Sequence, residues 1–253
     1  MLIVGIVGSP RKDGRTNQLV KAALSGAAEA GAETRMVYLV DYDLRPFTGG
    51  GSADDAFTFC PGELSEICCQ ADALVVGSPV YWGDISGLTK DWMDTVRLPR
   101  SNGKWGLGIA IAGGSGKGLL SGVQSINHWF YHKQMRCLEA APVSRFNMEV
   151  ALARLRAQGA ELAQVAAQPA PFAGETADEV WIDCTAAYGE VRYMRADPVD
   201  EFMMLAQQLV ALGQGDEIEA ARDELRQATT LLAEGKRGEA GRLAVRCYLR
   251  LFQ

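Results

Sequence analysis

The chain opens on a continuous apolar run at residues 1–7 that stops at Gly8 and Pro10. A short, β-branched run with such stops predicts a strand buried on both faces. Over 16–30 the apolar residues fall at Leu19, Val20, Ala23, Leu24 and Ala27, with Gly31 just beyond. That spacing predicts a helix and its stop. Residues 33–40 return to strand character through Met36, Val37, Tyr38, Leu39 and Val40. The same alternation continues with a helix over 63–70, a buried strand over 73–77, a helix over 88–96, a strand over 105–111 and a helix over 119–134. A fifth strand is expected within 135–146, broken near Pro142. Strands alternating with helices predict an α/β fold with a doubly wound, five-stranded parallel sheet.

After the fifth strand the period changes. Residues 149–166 read as a helix, 168–174 as a Pro/Ala/Gly linker, and 198–212, 216–233 and 238–252 as three amphipathic helices separated by glycines. The stretch 177–198 stays open between a strand and a buried helical turn around Val180–Cys184. The expected organisation is a sheet domain over 1–148 followed by a mainly helical C-terminal extension over 149–253. Its apolar positions, among them Ile218, Leu225, Leu231, Leu232, Leu243, Val245, Leu249 and Leu251, need a surface to cover. Either the chain's own sheet domain or a neighbouring subunit would serve. Residues 42–62 are rich in Gly, Asp and Pro and carry Phe47, Phe57 and Phe59. They read as a long surface loop of the length that compact domains reserve for function.

Composition narrows the class. With 48% hydrophobic residues the chain can fill a core. A net charge of −6, without clustered Lys and Arg, argues against a nucleic-acid partner. The apolar start lacks a basic flank, and no run of about 18 apolar residues appears anywhere. The expectation is a soluble, cytoplasmic protein that does not enter membranes and takes a small-molecule partner. Six cysteines (Cys60, Cys68, Cys69, Cys137, Cys184 and Cys247) are scattered without the spacing of a disulfide framework, so reduced thiols are expected.

In an open parallel sheet, ligands sit beyond the carboxyl ends of the strands where the strand order reverses. Three loops leave from that edge. After the first strand, Ser9, Arg11, Thr16 and Asn17 offer hydroxyls, an amide and a guanidinium beside a helix start, which suits a phosphate monoester. After the third, Pro79, Val80, Tyr81, Trp82 and Gly83 offer a rigid bend with aromatics, which suits a flat heteroaromatic ring. After the fourth, Gly113, Gly114, Ser115 and Gly116 let the backbone approach that ring closely.

With Gly-Ser-Pro-Arg, Gly-x-Thr, Ser-Pro-Val-Tyr-x-Gly and Gly-Gly-Ser-Gly in that order, the sequence resembles the NAD(P)H-dependent FMN reductase group of flavodoxin-like proteins. Within that group it is most similar to the branch related to iron-sulfur flavoproteins, over about residues 1–148. The resemblance implies that Ser9, Arg11, Thr16 and Asn17 hold the FMN phosphate. It implies also that Pro79, Val80, Tyr81, Trp82 and Gly83 line the isoalloxazine, and that Gly113, Gly114, Ser115 and Gly116 close its other side. Arg15 stands where that branch often has Asn. The implied function is passage of electrons from NAD(P)H through FMN to a small acceptor: a quinone, free flavin, metal ion, or nitro or azo compound. The flavin carries the chemistry, so no catalytic side chain is named. A homo-oligomer, dimer or tetramer, is implied as well. The alternatives are an FMN electron-transfer protein with a protein donor and a cofactor-free interaction protein of the same fold.

Other motifs carry less. A nucleotide P-loop at 111–118 fails, because Ile111 stands at its first glycine and Gly118 replaces its hydroxyl residue. Cys60, Cys68 and Cys69 lie where the resembled branch has a four-cysteine cluster motif, but seven residues separate the first two and the last two are adjacent. That spacing is poor for one cluster. His128 and His132 are one helical turn apart with no third ligand nearby, and Trp129, Phe130 and Tyr131 between them favour packing or an interface.

Overall fold

The computed structural model describes residues 1–48, 59–213 and 216–252. Within them β1 (Leu2–Val7), β2 (Glu33–Tyr38), β3 (Ala73–Tyr81) and β5 (Trp105–Ala112) are the long strands. The expected break in the fifth strand divides it into β6 (Arg136–Cys137) and β7 (Ala141–Ser144), both parallel to β5. The interruption falls at 138–140 rather than at Pro142, which sits inside β7 opposite Ala110. Proline is tolerated there because the strand lies at the sheet edge and needs no outward donor. The order β2-β1-β3-β5-β6, with β7 continuing the last position, is the flavodoxin-like arrangement.

Two apolar layers cover the sheet. Helices α1 (Arg15–Glu29) and α5 (Met148–Ala166) share one face, where Ile3, Val7, Leu19, Val20, Leu155 and Leu162 are buried together. On the other face Val4, Ile6 and Val76 meet α2 (Gly62–Gln70), α3 (Gly87–Thr95) and α4 (Leu119–His132) through Leu64, Ile67, Trp92, Met93 and Phe130. Alternate residues of β1 thus serve opposite layers, as the period of two requires. The helix α5, grouped with the extension in the sequence, belongs to the sheet's own core.

The open stretch 177–198 begins as a helix, α6 (Ala177–Gly189). Its start is a capping box in which Thr176 accepts from the Glu179 backbone and Glu179 answers the Thr176 backbone. Tyr188 and Trp181 of α6 meet the ring of Tyr131 on α4 edge to face, so the aromatic segment packs while His128 and His132 stay exposed. The last three helices are α7 (Pro198–Leu212), α8 (Ile218–Ala233) and α9 (Arg237–Leu251). Asp197 and Asp200 form a second capping box at α7, and Arg237 pairs with both carboxylates. These hydrogen bonds to Arg237, ahead of the backbone bonds, lower the Asp197 pKa to about 2. The expected apolar face is covered within the chain in part: Leu225, Leu232, Leu243 and Leu251 pack among the last three helices, and Leu205, Leu209 and Tyr248 pack on Phe146 beyond β7, while Leu249 stays exposed. Among the described residues no helix is long and apolar enough to cross a membrane.

Two glycines let α1 and α5 pack backbone to backbone. A Cβ on Gly26 would stand 1.8 Å from the Arg156 carbonyl oxygen, and one on Gly159 would stand 1.8 Å from the Ala23 carbonyl oxygen. Backbone fills both spaces, so neither side can yield without separating the helices. Gly159→Ala should therefore destabilise the protein by about 1–3 kcal/mol despite alanine's better helix propensity, read as a lower urea midpoint with an unchanged slope.

Candidate functional site

The loops that follow β1, β3 and β5 leave the same edge of the sheet. The β1–α1 turn is pinned first: the Gly8 N–H donates to the Gly77 carbonyl at 2.8 Å. A Cβ on Gly8 would lie 1.8 Å from Thr89 Oγ1, so only glycine fits. Around that contact three hydroxyls are buried almost completely: Ser78, Ser86 and Thr89. Ser86 Oγ donates to the Gly8 carbonyl at 2.6 Å, Thr89 Oγ1 donates to Ser78 Oγ at 2.9 Å, and Ser78 Oγ donates to the Pro79 carbonyl at 3.0 Å. Ser86 also caps α3 by accepting from the Thr89 N–H at 3.1 Å. Ser78 opens the Ser-Pro-Val-Tyr-x-Gly motif, but nothing in the local sequence marked Ser86 and Thr89 as part of the site.

The second loop differs from expectation. Residues 78–81 continue β3 as strand, and the chain then folds back as β4 (Asp84–Ile85), antiparallel to it. The two-residue tip is Trp82 and Gly83, with φ +52° and +92°. Two positive φ values define the type I′ turn that matches strand twist, and glycine at the second position was its sequence signal. The tip leaves Trp82 fully exposed at 105% relative accessibility.

A cavity of about 730 Å³ opens between these loops. Of the residues expected at the site, it is lined by Ser9, Arg11, Thr16, Pro79, Val80, Tyr81, Gly113 and Gly114. Asp13, Gly14, Arg15, Gln18 and Ile111 complete the wall. Trp82, Gly83, Ser115 and Gly116 line an adjoining cavity of about 410 Å³ that shares Val80, Gly113 and Gly114 with the first. Asn17 lines neither: its Oδ1 accepts from the Tyr38 hydroxyl at 3.2 Å. Lys12 likewise turns away, pairing at 2.6 Å with Asp41 in the turn that follows β2. Residues 49–58 of the expected loop, with Phe57, lie outside the described residues.

The first cavity carries an electrostatic bias. Its wall holds Arg11 and Arg15 against Asp13, and neither arginine is ion-paired among the described residues. Gly14 is the N-cap of α1 and no side chain caps that helix, so its first amides face the turn with their partial positive charge. At Gly113 and Gly114 a Cβ would meet nothing within 4 Å, so the backbone borders open space. Volume, charge and the bare glycine wall fit a flat ligand bearing one phosphate.

The cysteines offer no comparable centre. All six are free, and among the described residues no group of three or more His, Cys, Asp and Glu could hold a metal ion. Burial raises the Cys60 thiol and pushes Cys68 up to about 12. Cys69 donates its S–H to the Arg97 carbonyl at 3.3 Å. A cluster needs converging thiolates, and the three neighbouring cysteines do not fit one.

Residues 1–150 match the family described as NADPH-dependent FMN reductase. An iron-sulfur flavoprotein of Methanocaldococcus jannaschii is 34% identical over 139 residues, covering 51% of this chain and 72% of that protein. One of Methanosarcina thermophila is 33% identical over 141 residues, covering 52% and 73%. Among solved structures, a flavone reductase superposes with a TM-score of 0.53 at 20% identity, covering 72% of this chain and 70% of the other.

The hydroxyl cluster gives the site its first test. Thr89→Val keeps shape but strips a buried hydroxyl from its partners Ser78 and Ser86, and should cost about 1–3 kcal/mol in chemical denaturation.

Proposed function

We infer the activity from one premise: the chain belongs to the NADPH-dependent FMN reductase family. It is accordingly a flavodoxin-like oxidoreductase that works with FMN. The finer reading is that electrons enter from NADH or NADPH and leave to a small acceptor such as a quinone, free flavin, metal ion, or nitro or azo compound. The observation that carries it is the convergence of three loops on one 730 Å³ cavity at the point where the strand order reverses, between β1 and β3.

In this reading Ser9, Arg11 and Thr16 join the uncapped amides of α1 in holding the phosphate. Their support is the cationic wall and the absence of any competing side-chain cap. Asn17 contributes through its place in the first turn of α1, since its side chain is engaged by Tyr38. Pro79, Val80 and Tyr81 take one side of the isoalloxazine and Gly113 and Gly114 the other. Bound there, FMN would supply the hydride-accepting centre, and the protein would bind it, orient it and limit water. The adjoining cavity between Trp82, Gly83, Ser115 and Gly116 suits the small acceptor, because it opens from the same glycine wall. The FMN-binding domain is taken to run through Ala166, since α5 is part of its core. The exposed Tyr81 and Trp82 at the cavity mouth favour a homo-oligomer, which light scattering would reveal.

Visible spectroscopy tests the reading directly. The purified protein, supplied with FMN under anaerobic conditions, should show the bands of bound oxidised flavin and lose them when NADH or NADPH is added. Bands that persist with both nicotinamides would refute the donor assignment. The phosphate assignment has its own test. Arg11→Ala and Thr16→Val should weaken FMN roughly 10- to 100-fold, the range of hydrogen bonds to a charged group, while riboflavin affinity changes little. Fluorescence titration with both flavins measures the difference, and equal losses for the two would place the phosphate elsewhere.

A further inference from the structure

The wall of the adjoining cavity is held from the far end of the chain. The loop 113–118 has two residues that only glycine occupies comfortably, Gly116 and Gly118, at φ +83° and +84°. Gly118 is the N-cap of α4 and brings no side chain of its own. The missing cap comes from α7: Glu201 accepts from the Gly118 N–H through Oε1 at 2.9 Å and from the Leu120 N–H through Oε2 at 3.1 Å. One carboxylate thus satisfies two of the amides that a helix start leaves open, and its charge lies at the positive end of the α4 dipole.

Further contacts hold the same loop. The Tyr248 hydroxyl on α9 donates to the Ser115 carbonyl at 2.8 Å. Leu205 of α7, fully buried, stands where a Cβ on Gly116 would come within 2.6 Å of it. The Lys117 ammonium lies over the rings of Phe202 and Tyr248, 5.8 and 5.9 Å from their centres. The chain of contact then continues across the cavity, because a Cβ on Gly118 would lie 2.3 Å from the Gly83 Cα at the hairpin tip. Loop and tip are the two sides of the adjoining cavity.

We propose that the C-terminal helices are a clamp on the ring end of the cofactor site, with Glu201 and Tyr248 as positioning residues that set the 113–118 loop against the bound isoalloxazine. The proposal rests on the FMN reading above. It also accounts for the difference between the two helix starts at this edge. The amides of α1 carry no side-chain cap and remain available to a phosphate, whereas those of α4 are filled by Glu201. An anionic group is thereby steered to one end of the site.

The test uses the full chain and two variants that spare the packing, Glu201→Gln and Tyr248→Phe. Glu201→Gln keeps the size but replaces one accepting oxygen by an NH2 group, and Tyr248→Phe keeps the ring over Lys117 while removing the hydroxyl. Hydrogen exchange should quicken at residues 113–120 in each, and affinity should fall by about tenfold for FMN and riboflavin alike, the scale of a lost helix cap. The reduction potential of bound FMN should shift as well, which loss of fold stability alone would not produce. Faster exchange with unchanged affinity for both flavins and an unchanged potential would overturn the clamp, and so would a loss confined to FMN. A wild-type protein that binds neither flavin would overturn the FMN reading instead, while exchange at 113–120 would still report whether these contacts hold the loop.

Discussion

Three buried hydroxyls hold this edge of the sheet together. Ser78 comes from β3, Ser86 and Thr89 from the start of α3; Ser86 donates to the carbonyl of Gly8, just beyond β1, while Ser78 accepts from the Ser86 N–H and from Thr89. A polar group this deep is costly unless it is paired. The pairing ties the β1–α1 turn to the β3–β4 hairpin, and Gly8 must lack a side chain for Thr89 to come close enough. Through it the turn and the hairpin, which form two sides of the cavity, share one support. Preorganisation of this kind matters in a flavoprotein, where the protein's part is to hold a reactive group in place and tune its surroundings.

The C-terminal helices complete the other side. Their amphipathic faces could have served a second subunit, but α7 and α9 bury Leu205, Leu209 and Tyr248 on Phe146 of the chain's own sheet domain. Once seated there, α7 presents Glu201 to the start of α4 and α9 presents Tyr248 to Ser115. Packing therefore comes first in this hierarchy, and the polar contacts exploit the position that packing provides.

Among the relatives are iron-sulfur flavoproteins, a description that by itself assigns no cluster to this chain. Here Cys60 and Cys68 are buried thiols whose proton is favoured by the apolar surroundings. The family match itself spans residues 1–150.

Much of the architecture was legible in order along the chain. Apolar runs of period two and 3.6, punctuated by Gly8, Gly31, Pro79 and Gly113, mark strands, helices and the three loops, because backbone preference and the side on which a residue is buried are local properties. The motifs placed most of the expected residues around one cavity for the same reason. Where expectation and structure part, the deciding contact joins residues far apart. Asn17 turns away because Tyr38, on the next strand, takes its amide. The aromatic loop becomes a hairpin because residues 80 and 81 find partners at 84 and 85 while Ser125 of α4 bonds Asp84. Thr89 is a site-building hydroxyl only because β1 and β3 lie side by side, and Glu201 becomes the cap of a helix that begins some 80 positions earlier. Local pattern along the chain carried most of the elements, their order and the loops at the sheet's carboxyl edge, though neither α6 nor β4. Tertiary structure alone decided which polar groups meet there, since a hydrogen bond across the fold depends on how layers pack and leaves no period in the chain to read.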